Sequence, residues 1–180
     1  MTDLVYTFVP SPLGRLRLVA SADAVVGLYF PEHKPTPRFP GAVEGRTPLL
    51  ERAAGELDAW LAGQRRDFTV PLDPRGTPFQ RRVWAQLARI PYGETRSYQA
   101  LAQAIDAPGA SRAVGAANSR NPLSLFLPCH RVVTSSGALG GYAGGLDAKR
   151  WLLAHERITA GRPGLAAPRG APTTPAHSRW

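Results

Sequence analysis

The chain has almost none of the residues that cross-link a fold. A single cysteine stands among 180 residues, so no intramolecular disulfide can form, and a reducing cytoplasm suits a working free thiol. No apolar run approaches the roughly 20 residues needed to cross a bilayer. The N-terminus, Met1-Thr2-Asp3-Leu4, lacks the basic and apolar pattern of a secretory leader. Lysine is nearly missing, 2 residues against 20 arginines. Acidic residues thin out along the chain. Residues 1–74 hold 8 basic and 9 acidic side chains, residues 75–157 hold 11 and 4, and residues 158–180 hold 3 and none. The net charge of +9 therefore sits on the second half. Such a distribution points to a polyanionic partner, nucleic acid first; general solubility is the plainer explanation.

Hydrophobic content of 43% is enough for a real core. Leu4–Val9, Leu16–Ala20 and Val25–Phe30 read as strands joined by turns at Ser11-Pro12-Leu13-Gly14 and Ala22-Asp23, an antiparallel meander. Residues 31–46 are rich in Pro and Gly and read as loop. Thr47 and Pro48 open a helix with Leu50, Ala54, Leu57 and Leu61 on one face, and Gly63 stops it. Phe68–Leu72 is a possible edge strand. Thr77-Pro78-Phe79-Gln80 fits a capping box, followed by an apolar face of Phe79, Val83, Trp84, Leu87 and Ile90. Two short helices follow, from Ser97 to Ile105 and from Ser111 to Asn118, broken by Ala107-Pro108-Gly109. That outline is a helix-turn-helix, although many helical hairpins share it. The second helix carries Ala113, Gly115, Ala116 and Ala117 after Arg112, small residues that let a partner approach closely or let helices pack tightly. Ser135-Ser136-Gly137 and Gly140-Gly141 bracket a hairpin, the wing of a winged helix. A last helix runs from Asp147 to about Glu156, with Leu146, Trp151, Leu152 and Leu153 as its core face. Residues 158–180 read as a disordered, basic, Pro/Gly-rich tail. The chain thus divides into an N-terminal scaffold (1–74), a helical domain (75–157) and the tail.

Cys129 lies in Leu127-Pro128-Cys129-His130-Arg131. A lone thiol beside an imidazole is a candidate nucleophile, because a neighbouring His can generate the reactive thiolate. Most free cysteines are simply small buried hydrophobes. The base needs a third group to orient it. Glu156 is the candidate: a carboxylate near a helix C-terminus opposes the macrodipole, at about 0.3–1 kcal/mol, unless it has a partner. A solvated Glu beside Arg157 is the alternative. Arg112 shows the opposite anomaly, a cation in the first turn of its helix, which an anion or a role outside the helix would explain; on position alone an ordinary surface Arg is the plainer explanation.

Taken together, Asn121-Pro122, Pro128-Cys129-His130-Arg131-Val132-Val133, Gly144-Gly145 and Leu152-Leu153-Ala154-His155-Glu156 resemble the O6-alkylguanine-DNA alkyltransferases, bacterial type. Gly93-Glu94, Ser97-Tyr98 and Arg112-Ala113-Val114-Gly115 match in order and spacing. The resemblance is strong over residues 75–157 and general over 1–74. It implies an α+β chain: an antiparallel-sheet subdomain with a helix, ribonuclease-like in layout, then a winged helix-turn-helix domain. It implies a single-turnover methylated-DNA–protein-cysteine S-methyltransferase without cofactor, one that rotates O6-alkylguanine, and O4-alkylthymine beside it, out of the duplex. Cys129 would accept the alkyl group. His130 would deprotonate it through a water, Glu156 would hold His130, Asn121 would brace the turn behind the thiol, and Tyr98 would assist guanine departure. Tyr98, Asn118, Val132 and the backbone at Ala143 would line the base pocket. Arg112 would fill the gap left by the base, with Ala113, Gly115, Gln99 and Ser135 against the minor groove. The partner would be double-stranded DNA, bound with little regard to sequence by a cytoplasmic, nucleoid-associated monomer that can cluster on DNA.

Three features depart from some members of that family. Some bind zinc in the N-terminal part through Cys and His; one cysteine leaves no such site here. Ser124 and Ala143 stand where some members carry Pro and Ser, near the expected pocket. Relatives with Trp in place of the cysteine bind lesions without repairing them, and Cys129 argues against that role. Two other readings remain: a winged-helix regulator with a structural cysteine, and a cysteine hydrolase. A regulator is not alkylated at Cys129, and a hydrolase turns over and needs no basic half.

Overall fold

The computed structural model describes residues 3–34 and 37–161. The expected meander is present as β1 (Val5–Val9), β2 (Leu16–Ala20) and β3 (Val25–Tyr29), with antiparallel pairs β1·β2 and β2·β3. The stretch read wholly as loop contains a short strand, β4 (Val43–Glu44), which pairs parallel with the outer edge of β1 and gives the order β3-β2-β1-β4. Residues 68–72 form no strand; Leu72 makes a single bridge to Val25. The free edge of β3 is also met from the second half, through Leu28 N–H to Pro122 O at 2.8 Å.

Helix α1 (Pro48–Leu61) begins where the cap chemistry places it: Thr47 Oγ1 accepts from Leu50 N–H at 3.1 Å. Its buried apolar residues, Leu50, Ala53, Leu57 and Trp60, cover the sheet. Trp60 reaches past it. Its ring packs against Tyr92, His130 and His155, and its carbonyl accepts from His155 Nε2–H at 2.9 Å. One continuous apolar core therefore runs through both halves.

Helix α2 (Pro78–Leu87) has both bonds of the capping box between Thr77 and Gln80. The helix-turn-helix is α3 (Tyr98–Ala104) and α4 (Ser111–Ser119). Trp84 of α2 donates its indole N–H to Ala117 O at 2.8 Å, which locks α4 onto α2. Strand β5 (Arg96–Ser97) pairs parallel with β6 (Val132–Val133), so the start of α3 lies beside the residues that follow Cys129.

The expected wing hairpin is not formed. Residues 134–138 make a tight turn, closed by Thr134 N–H to Ala138 O at 2.9 Å. Beyond it the carbonyls of Leu139 and Gly141 turn inward to the ammonium of Lys149, which also takes Val132 O. A ladder would need those carbonyls.

Helix α5 spans Leu146–Ala160, four residues further than expected. Residues 158–160 thus belong to the helix and not to the tail; residues 162–180 lie outside those described. Its buried face is Ala148, Lys149, Leu152, Glu156 and Thr159, while Leu146 is exposed. The extra turn is tied down by Tyr92 Oη to Thr159 Oγ1 at 2.5 Å and by Arg66 Nη2 to Ala160 O at 2.8 Å. Truncation after Gly161 should therefore leave the melting temperature within about 2 °C of the full chain. Truncation after Arg157 removes both ties and buried Thr159, a loss of about 2–3 kcal/mol or roughly 5–10 °C. Equal melting curves for the two truncations would contradict this role of the last turn.

Candidate active site

Cys129, His130 and Arg131 form a single 3-10 turn at the end of the apolar run. All three are buried. The turn points two of its side chains at one carboxylate. His130 Nε2–H donates to Glu156 Oε1 at 2.7 Å. Arg131 grips both oxygens, with Nε at 2.9 and 3.0 Å and Nη2 at 2.7 Å from Oε1. Gly93 N–H adds a bond to Oε2 at 3.2 Å, and the remaining arm of Arg131 ends on Ile90 O at 2.6 Å. A buried carboxylate with this many donors is fully satisfied.

The electrostatics follow. Burial alone would raise the Glu156 carboxyl, but His130 and Arg131 outweigh it and hold it at about 2. The arginine fork sustains that charge when His130 is neutral. Burial lowers His130, against the pull of Glu156, so the imidazole is a neutral base at pH 7. Because Nε2 carries the proton given to Glu156, Nδ1 is the lone-pair nitrogen, and it has no protein partner. Burial raises the thiol, and the neighbouring polar groups Asn121 and Ser124, Lys149 and Tyr142 work against that rise.

Asn121 spans the turn before the cysteine. Its Nδ2 donates to Leu127 O at 2.8 Å and its Oδ1 accepts from Leu123 N–H at 3.0 Å. Asn118 Nδ2 donates to the Cys129 carbonyl at 3.4 Å. Asn118 also lines an open cavity of about 460 Å³ between α3, α4 and the 134–141 loop. Tyr98, Gln99, Arg112, Gly115 and Ser135 share that lining. Ser135 Oγ donates to Gln99 Oε1 at 3.4 Å across its rim. Arg112, at the second position of α4, is exposed and makes no ion pair among the described residues. Ala113 is exposed on the same helix. Burial keeps the Tyr98 phenol above its usual range, so it remains a proton donor. Gly140 is pressed against this ring: a Cβ there would lie 2.8 Å from Tyr98 Oη.

Two expected pocket residues stand apart from the cavity. Val132 is fully buried behind the turn, with its carbonyl taken by Lys149 at 2.6 Å. Ala143 does not line the cavity; its carbonyl accepts from Lys34 N–H at 3.3 Å. The dipole argument for Glu156 also changes, because α5 continues for another turn and the carboxylate is not at its end. What holds Glu156 is the pairing. Arg131 and Lys149 were not singled out from the sequence. Lys149 had a signal: it is one of 2 lysines in an arginine-rich chain, and its spacing to Leu152 and Glu156 puts it on the buried face.

A thiol, a neutral imidazole and a buried carboxylate beside a helix-turn-helix make a reactive-cysteine site on the frame of a nucleic-acid-binding protein. Residues 4–74 match the ribonuclease-like domain, and residues 78–158 the DNA binding domain, of 6-O-methylguanine DNA methyltransferase. A methylated-DNA–protein-cysteine methyltransferase of Mycolicibacterium paratuberculosis is 47% identical over 152 residues, covering 84% of this chain and 92% of that one. The constitutive enzyme of that name from Bacillus subtilis is 43% identical, covering 86% and 96%. The crystal structure of Mycobacterium tuberculosis OGT in complex with DNA superposes with a TM-score of 0.77 at 44% identity, over 86% of this chain and 94% of that one. The chain belongs to this family of methylated-DNA–protein-cysteine methyltransferases.

The buried carboxylate sets a pH dependence. A group whose folded value is depressed contributes stability above its ordinary value of 4.5, and that contribution is lost as pH falls towards about 2. The difference amounts to about 3 kcal/mol. Glu156→Gln should therefore be less stable than the parent by at least this much at pH 7. The gap should narrow as pH falls from 4.5 to 2. Urea midpoints measured across that range check it; a gap independent of pH would show that Glu156 is not held as an anion.

Proposed function

We propose that this protein reverses O6-alkylguanine damage directly, taking the alkyl group onto Cys129 once and irreversibly. The observation that carries the reading is a buried turn that holds Cys129 beside His130, with His130 bonded to Glu156 and Asn118 joining the turn to the cavity at the helix-turn-helix. In this reading His130 Nδ1 takes the thiol proton through one water. The thiolate attacks the alkyl carbon; the S–C bond forms as the C–O6 bond breaks, and the electron pair leaves with guanine. Tyr98, a protonated phenol on the cavity wall, hydrogen-bonds or protonates the departing base. The thioether has no route back to the thiol, so each molecule acts once. Asn121 fixes the turn that presents the thiol.

The lesion reaches the thiol by rotating out of the duplex, which costs a few kcal/mol and least at a damaged pair. The small residues Ala113 and Gly115 let α4 lie close in the minor groove, where Arg112 takes the place of the missing base. Binding comes mostly from phosphates and is indifferent to sequence, as repair requires. O4-alkylthymine offers the same exocyclic O-alkyl geometry and is a second substrate. The protein works as a monomer without a cofactor, can cluster along DNA, and acts in the cytoplasm at the nucleoid.

Intact mass after incubation with duplex O6-methylguanine DNA should show one added CH2 unit per molecule, at Cys129. Cys129→Ser should show none and still bind the duplex within about threefold of the parent, since phosphate contacts hold the DNA. Turnover beyond one equivalent, or methylation elsewhere, would reject the reading.

Arg112→Ala should slow repair of paired O6-methylguanine by roughly ten- to hundredfold at saturating DNA. It should barely change transfer from the free base, which needs no extrusion. Arg112→Lys should recover only part of the loss, because Lys lacks a planar guanidinium. A defect that vanishes at saturating DNA, with a shallower salt dependence, would make Arg112 a phosphate contact instead.

A further inference from the structure

Ser124 is the one polar residue in the apolar run Leu123-Ser124-Leu125-Phe126-Leu127. It is almost completely buried, at 1% exposure. Its hydroxyl has no hydrogen-bond partner of good geometry, and neither has the buried hydroxyl of Tyr142. Buried polar groups are nearly always paired, and these two hydroxyls have only each other and the Cys129 thiol within reach, so their place needs a reason. Both lie against the Cys129 thiol, beside Asn121.

The backbone is arranged to keep them there. Leu125 adopts φ 70, in the left-handed region that a branched side chain avoids. That kink allows Phe126 N–H to reach Ser124 O at 2.9 Å and Leu127 N–H to reach Leu123 O at 2.8 Å. Asn121 closes the same turn from below through Leu123 and Leu127. Tyr142 is held from the other half of the chain, with the Phe30 ring edge-on at 5.7 Å. Gly144, two residues later, has no room for a side chain: a Cβ would lie 2.5 Å from Phe30.

A protonated thiol makes poor use of two hydroxyls, being a weak donor and a weak acceptor. A thiolate is different. We propose that Ser124 and Tyr142 form a donor pair that receives the Cys129 thiolate in the transfer step. The inference rests on the transfer chemistry given above. As the proton passes from Sγ to His130, Ser124 Oγ–H and Tyr142 Oη–H turn to the sulfur and share its charge. The charge then enters the S–C bond while the C–O6 bond breaks. The thioether is neutral, and the pair is released. Burial and the nearby thiol hold the Tyr142 phenol well above its ordinary value, so it stays a donor throughout. The other titratable groups facing the sulfur are Lys149 of α5, whose ammonium is committed to three carbonyls, and Tyr98 of α3.

Ser124→Ala and Tyr142→Phe each remove one oxygen and keep the packing atoms. The test is the rate of Cys129 alkylation by iodoacetamide as a function of pH, with melting temperature and duplex affinity measured alongside. Each variant should move the midpoint of the profile up by about one unit, a tenfold loss of rate at neutral pH. The double variant should move it further. Melting temperature and duplex affinity should stay near the parent's. Profiles that coincide with the parent's would overturn the proposal, as would variants that lose only thermal stability. Iodoacetamide needs no DNA. If the parent protein takes no methyl group from damaged DNA, the transfer reading fails, and the profile still decides whether the pair serves the thiolate.

Discussion

The grip of Arg131 and His130 on the Glu156 carboxylate joins the parts of this molecule that must stay in register. Glu156 comes from α5, the two donors from the cysteine's own turn, and Gly93 from the segment before the helix-turn-helix. Ion pairs this deeply buried are strongly destabilising when one partner is lost, by about 3–5 kcal/mol. The same contact sets the state of the imidazole. A charged carboxylate on Nε2 fixes the tautomer of His130 and leaves the Nδ1 lone pair without a protein partner. Trp60 packs edge-on against that imidazole at 6.0 Å, so the N-terminal half helps to set its orientation. The half that carries no reactive group is therefore part of the site's construction.

Around this centre the roles separate. In the proposed reading the basic half and the exposed small-residue face of α4 meet DNA, and the buried turn holds the chemistry. Asn118 belongs to both, with one side in the cavity and its amide on the Cys129 carbonyl. Strand pairing between β5 and β6 brings Tyr98 to the same place from a different part of the chain. The site is therefore assembled from several segments that are distant in sequence, each held by its own local bonds.

Local signals were the legible ones. Caps at Thr47, Thr77 and Ser97 and the alternation of the first three strands are short-range physics, and the elements start where those residues place them. Glu156 was found from an incomplete reason: the dipole argument assumed a helix end that lies a turn further on. Arg131 stands in the sequence block around the cysteine without a role of its own, since nothing local says that its fork closes on a carboxylate 25 residues away. Lys149 is hidden for the same cause, and with it the wing, whose expected hairpin is undone by carbonyls drawn to that ammonium. The parallel strand β4 is too short to show a period. What could not be read was long-range closure, where polar groups find each other across the core.

The central claim is that Glu156 holds His130 as a neutral base with its free nitrogen on Nδ1. Nitrogen-15 chemical shifts of the His130 ring, measured at pH 7 on the unalkylated protein, test it directly. The account predicts a protonated Nε2 and an unprotonated Nδ1. An imidazolium, or the opposite tautomer, would contradict it.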